Sequence, residues 1–207
     1  MNRYFAWFGL PGSLVLTLLL SLTALTLALV FQTPDRWLRL AAMLLSSLGD
    51  VILMSYTPVT RRLPGPLRGF ACGAASFMLA HIAYIAAFGW RIARGGDPLV
   101  NAGFWAGVAL LALAAVSMTV LFRRSGNRNR GLLALCLAYL AVIGCACAVV
   151  FSCAVSEGGW AYLLALGALS FAISDFFIGL EQLGGIDACK DLIWWFYPIG
   201  QLLLICP

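Results

Sequence analysis

Charge is what this sequence has least of. Of its 207 residues 10% are charged and 63% hydrophobic, a balance that excludes an ordinary soluble domain of average composition. No RNA- or DNA-binding motif is present, and the formal net charge of +5 comes from arginines in short polar links, where it reports topology and lipid headgroups rather than nucleic acid. Histidine is nearly absent: His81 is the only one. That argues against a membrane hydrolase that activates water on zinc, which usually needs several imidazoles, and no metal is expected. There is no G-x-S-x-G elbow and no second histidine, so a serine-hydrolase triad has no support. The seven cysteines show no C-x-x-C spacing and lie mostly within apolar runs, as buried small hydrophobes do.

What is present is a series of apolar runs, each near the 20 residues needed to cross a hydrocarbon core. They predict an all-α fold, a polytopic transmembrane helical bundle of about seven spans forming one integral membrane domain over residues 1–207. The first run, about 5–31, is too long for the h-region of a signal peptide and reads as a retained span. The second runs from about 37 to 56 and the third from about 69 to 90. A fourth ends near 122 and a fifth near 153, and the last two cover about 160–180 and 192–205. Arg3, Arg61, Arg62, Arg68, Arg123, Arg124, Arg128, Arg130 and Lys190 fall on one side of this arrangement, and Arg36, Arg39, Arg91 and Arg94 on the other. The basic excess places the N-terminus in the cytoplasm and the C-terminus outside, with the inner membrane as the location in a bacterium.

Against this background Ser46-Ser47-Leu48-Gly49-Asp50 stands out, because it sets a carboxylate inside a span. Even the lower scales put a mid-bilayer Asp at a cost of about 2.5–3.5 kcal/mol, so its default reading is a functional group facing protein or water. Asp175 does the same in the sixth span, beside Ser174. At about 1.5 Å per residue, Asp50, Asp175 and Tyr197 all lie roughly 9–10 Å from the cytoplasmic ends of their spans. Gln201 is a turn deeper, and His81 and Tyr84 deeper still. Two carboxylates sharing a low-dielectric pocket do not ionise together, which leaves one protonated as an acid and the other as an anion. The plainer reading makes them interhelical hydrogen-bond acceptors, and His81 a satisfied core residue.

Taken in order, Ser46-x-x-Gly49-Asp50, Phe77-x-x-x-His81-x-x-Tyr84, Gly167-Ala168 with Ser174-Asp175, and Tyr197-x-x-x-Gln201 resemble the YhhN family of membrane proteins, the lysoplasmalogenases. The resemblance implies hydrolysis of the vinyl-ether bond of lysoplasmalogens to a fatty aldehyde and a glycerophospho-ethanolamine or glycerophospho-choline. It implies no cofactor, and as partners a lysophospholipid substrate and the bilayer; the oligomeric state stays open. Family members usually have about eight spans and a Lys-Pro pair near the start of the second. Here Leu10-Pro11 stands in that place, so the expectation is a chain that begins at the family's second helix and, if the family's lysine holds the substrate phosphate, either uses Arg61 or Arg62 instead or has a different headgroup preference.

The chemistry fits the residues independently of the family. A vinyl ether hydrolyses by proton transfer to carbon and capture of the resulting oxocarbenium ion by water, which calls for an acid beside an anion. Asp50 and Asp175 are the expected catalytic pair, with His81 beside them; Ser46, Tyr84, Ser174, Tyr197 and Gln201 are the expected substrate-binding groups. Two other functions use the same features. A lipid or small-solute binder or transporter would employ the carboxylates as a proton relay, and a subunit of a larger complex would need only the helices.

Overall fold

The computed structural model describes residues 6–7, 10–53, 66–126, 128–184 and 190–206. Among them are seven α-helices: α1 (Gly12–Phe31), α2 (Pro34–Leu53), α3 (Pro66–Gly95), α4 (Ala102–Arg124), α5 (Arg130–Glu157), α6 (Tyr162–Gly184) and α7 (Lys190–Ile205). Five are long and apolar enough to cross a membrane. The exceptions are α2, which carries Asp35, Arg36, Arg39 and Asp50, and α7, whose apolar stretch Leu192–Ile205 is shorter than a span. The chain divides within α3 into two compact units, Met1–Ala87 and Phe88–Pro207.

In the first unit the helix expected from about residue 5 is described from Gly12. Ahead of it, Ala6–Trp7 pairs antiparallel with Leu10–Pro11, so Pro11 precedes α1 instead of occupying its first turn. The buried face of α1 is Leu14, Thr17, Leu20, Ser21, Ala24 and Ala28, at spacings of three and four residues that make one narrow stripe. Leu18, Leu22, Leu25 and Leu29 are exposed on the other side, as suits a lipid-facing surface. Thr23 and Thr26 are also outside, and each returns its hydroxyl to its own helix, to the Leu19 and Leu22 carbonyls at 2.9 Å. Gln32, at φ 50°, ends α1, and Pro34 opens α2, where its missing N–H costs nothing.

α2 is inverted relative to a water-soluble amphipathic helix. Its buried face holds Asp35, Arg39, Ser46 and Asp50 together with Ala42, Met43 and Gly49, and Trp37, Leu44 and Leu48 are exposed. Arg39, expected in a solvated link, is instead 1% exposed and bonded to Asp35 at 2.9 Å across one helical turn. The i, i+4 spacing allows the pair to form within the helix, and burying the guanidinium with its counter-ion avoids an isolated charge in the interior.

The second unit is held by glycine contacts. A Cβ on Gly103 would fall 2.2 Å from the Phe151 carbonyl oxygen, one on Gly107 2.4 Å from Ala148 Cα, and one on Gly144 2.5 Å from Leu111 Cβ. These three pairs define an antiparallel α4–α5 seam in which backbones touch at Gly103 and Gly107 and the Leu111 side chain packs on Gly144. Asn101 caps α4 by accepting from the Gly103 and Phe104 amides, and it donates to the Ser152 carbonyl at 3.0 Å. α6 and α7 meet in the same manner, with Gly200 against the Phe171 amide and the Gly167 carbonyl. The C-terminal end of α3 closes in a Schellman turn: Gly96, at φ 75°, and Asp97 donate to Ala93 and Ile92. Arg91 then forms a two-pronged ion pair with Glu157 at the end of α5, with Nε to Oε1 at 2.8 Å.

Candidate functional site

Asp50 is buried, 7% exposed, and its surroundings in the first unit are hydroxyls. Thr17 of α1 donates to Asp50 Oδ2 at 2.7 Å. Thr17 Oγ1 lies 3.1 Å from Ser47 Oγ, which lies 2.7 Å from Ser21 Oγ. The three hydroxyls form a continuous chain between α1 and α2 that ends on the carboxylate. Ser21 and Ser47 each have a backbone carbonyl in reach as well, those of Thr17 and Met43, and each gives its one proton either along the chain or to that carbonyl. Chains of this kind polarise one another and hold each member in a fixed orientation.

On the other flank of α2 stands α3. Ser76 donates to the Leu45 carbonyl at 2.7 Å, and the Phe77 ring fills the space a Cβ on Gly49 would occupy, 2.6 Å from its Cε2. Glycine beside Asp50 thus lets the Phe77 ring of a neighbouring helix come close. His81 and Tyr84 are buried on the same helix. His81 Nδ1 lies 2.8 Å from the Phe77 carbonyl, one turn back. Because Phe77 already faces Gly49 and the helices run antiparallel, His81 sits about 6 Å farther from Asp50 along the axis. Tyr84 is another turn beyond, within electrostatic reach of Arg39. Along the helix axis the three groups thus follow in the order Asp50, His81, Tyr84.

In the second unit Asp175 is 4% exposed and accepts from the Tyr139 phenol of α5 at 2.6 Å. Its neighbour Ser174 turns to α7, with Oγ 3.5 Å from the Ile193 carbonyl. Tyr197 packs on Phe171, ring centroids 5.4 Å apart, and Gln201 Nε2 is 3.5 Å from the Tyr197 hydroxyl. Ser174, Tyr197 and Gln201 thus share the α6–α7 seam, and Asp175 looks toward α5. An apolar cavity of about 590 Å³ opens among α4, α5, α6 and α7. Leu111, Leu140, Ile143, Phe176, Phe177 and Phe196 are in its wall, and Leu140 and Phe176 are the chain neighbours of Tyr139 and Asp175.

The groups that sequence reasoning passed over are the hydroxyls of Thr17, Ser21 and Ser47, and the buried Asp35–Arg39 pair. The signal for the first was Thr17-x-x-x-Ser21, two hydroxyls at helical spacing on the small-residue face of α1. Arg61 and Arg62 lie outside the described residues. No group of three or more His, Cys, Asp or Glu side chains gathers among the described residues in a way that could hold a metal ion.

These features define a polytopic helical membrane protein with buried carboxylates in both of its units. The chain belongs to the YhhN family: the family model matches residues 12–206. No curated protein and no solved structure matches it.

Proposed function

We propose that this protein is a membrane hydrolase that cleaves the vinyl-ether bond of a lysolipid, releasing a fatty aldehyde and a glycerophospho-base. The observation that carries the reading is the burial of two carboxylates on helices of a lipid-embedded chain, Asp50 at 7% and Asp175 at 4% exposure, each bonded by a hydroxyl at 2.7 and 2.6 Å. Buried carboxylates held by neutral donors keep both options the chemistry requires, since a carboxyl group can give a proton and a carboxylate can steady a cation. In this reading Asp50 and Asp175 are the catalytic carboxylates. His81 is the deeper polar group of α3, Ser46 stands one turn from Asp50, and Tyr84, Ser174, Tyr197 and Gln201 line the path of the polar half of the substrate. The α4–α7 cavity suits the hydrocarbon chain: its volume is in the range of about 300–1,000 Å³ typical of small-molecule sites.

The experiment is aldehyde release from lysoplasmalogen by purified protein in detergent, compared with Asp50→Asn and Asp175→Asn variants shown to be folded. Turnover by the wild type and its loss in both variants supports the reading. Wild-type turnover in both variants removes the carboxylates from the chemistry. Absence of turnover by wild type with ethanolamine and choline headgroups alike favours a non-enzymatic lipid binder or transporter.

A further inference from the structure

One buried polar atom of the first unit has no use in the fold. Ser46 is 0% exposed, and its Oγ has no hydrogen-bond partner. Its neighbours behave differently. Ser47 donates to the Met43 carbonyl, Ser76 to the Leu45 carbonyl, Ser21 to the Thr17 carbonyl and Thr17 to Asp50. A hydroxyl with both a donor and two acceptor sites rarely stays unpaired in a protein interior, and a bound water is the usual occupant of such a position.

The location of that hydroxyl gives the water a task. Ser46 precedes Asp50 by four residues, so the two side chains lie on one face of α2, with Cβ atoms about 5–6 Å apart. Two hydrogen bonds of about 2.8 Å that meet at a water's roughly tetrahedral angle bridge oxygens about 4.5 Å apart, a gap that Ser46 Oγ and an Asp50 oxygen can present from neighbouring turns. Ser47, one residue on, is turned to α1 and is already engaged with Ser21 and Thr17. Ser46 is thus the hydroxyl of this helix left to face a ligand beside the carboxylate.

We propose that Ser46 is a positioning residue that holds the hydrolytic water against Asp50; the proposal rests on the hydrolase reading above. The acid first delivers a proton to the vinyl carbon remote from the ether oxygen, which leaves an oxocarbenium ion. The water held by Ser46 forms a bond to the carbon attached to the ether oxygen as Asp50 takes its proton, giving a hemiacetal. Asp50 returns that proton to the ether oxygen as the carbon–oxygen bond breaks. The hemiacetal hydroxyl loses its proton to the conjugate base of the acid. One water is consumed, one aldehyde and one alcohol are released, and both carboxyl groups recover their starting states.

The test is capture of the cation by a competing nucleophile. Wild type, Ser46→Ala and Ser46→Thr are given lysoplasmalogen in buffer containing methanol, and aldehyde and methyl acetal are measured separately. The expected result for Ser46→Ala is a fall in kcat of about tenfold to a hundredfold at unchanged KM, with a larger acetal fraction. Ser46→Thr, which keeps the hydroxyl, is expected to restore the wild-type fraction. The acetal fraction is counted per turnover, so it does not depend on how much of a variant folds. Wild-type kcat and wild-type acetal fraction in Ser46→Ala would overturn the proposal and leave a serine that bonds its own helix, with the hydrolase reading intact. A wild type that releases neither product would overturn the hydrolase reading itself, and this proposal with it.

Discussion

The two units bury a carboxylate by different means. Around Asp50 the work is shared among Thr17, Ser47 and Ser21, three small hydroxyls on two helices. Around Asp175 a phenol, Tyr139, reaches across from α5. The packing differs in parallel. The α1–α2 contact is lined by hydroxyls and small side chains, and the α4–α5 and α6–α7 contacts by glycines that bring backbone against backbone. In lipid there is no hydrophobic drive between helices, so polar bonds and close backbone approach are the two available ways to hold a bundle. Both units of this chain use polar bonds, and the second adds glycine seams in which backbones meet. A distributed hydrogen-bond chain can lose a remote member and re-form, whereas a glycine seam cannot yield.

The largest effects are expected at the carboxylates themselves. Asn keeps an acceptor for Thr17 or Tyr139 but can neither give nor take the proton. Asp50→Asn and Asp175→Asn should therefore lower kcat by about 10²–10⁴-fold, the range of a general acid or base. Aldehyde release measured on folded variants checks this, and an effect confined to one of them would assign the chemistry to one unit alone.

Next in size are the seams. Gly107→Ala puts a methyl 2.4 Å from Ala148 Cα, a backbone atom that cannot rotate away, and overpacking of this kind costs about 1–3 kcal/mol. Gly89, with nothing within 4 Å of a Cβ, is the control. Gly89→Ala should be neutral or stabilising by up to about 1 kcal/mol through helix propensity. Thermal unfolding in detergent separates the two. Equal behaviour would mean that the α4–α5 approach does not hold the second unit together.

Much of this architecture is written plainly in the chain, and the parts that are not have physical reasons. Apolar runs gave the helices within a few residues because span length is fixed by the bilayer, and Asp50 and Asp175 announced themselves by the cost of a charge in lipid. α2 was harder to read. Its Asp35 and Arg39 look like interfacial charges by position, and only i, i+4 pairing inside the bundle makes their burial tolerable. The start of α1 was misplaced because Ala6–Trp7 and Leu10–Pro11 are as apolar as a helix but pair with each other instead. Thr17 and Ser21 were hidden by chemistry: in an apolar helix a hydroxyl can serve its own backbone, as Thr23 and Thr26 do, and hydropathy does not distinguish the two uses. Tyr139 is a polar group in the fifth span, but its partner is 36 residues away in sequence, and no local pattern links them.

The smallest effects test whether the hydroxyl chain is as tolerant as its length implies. Tyr139→Phe removes a donor directly from a buried carboxylate and should cost about 1–3 kcal/mol, the penalty for a stranded charged or polar partner. Ser21→Ala removes the far end of a chain whose nearer members, Ser47 and Thr17, keep their contacts with Met43 and Asp50, and about 0.5–1.5 kcal/mol is expected. Thr23→Val, on the exposed face of α1, replaces a hydroxyl that bonds only its own helix, so its effect should stay within about 0.5 kcal/mol. The order Tyr139, Ser21, Thr23 follows directly from the distance of each hydroxyl from a carboxylate. Unfolding midpoints of the three variants decide it, and a Ser21→Ala loss equal to that of Tyr139→Phe would show that the three hydroxyls around Asp50 act as one rigid unit with no slack.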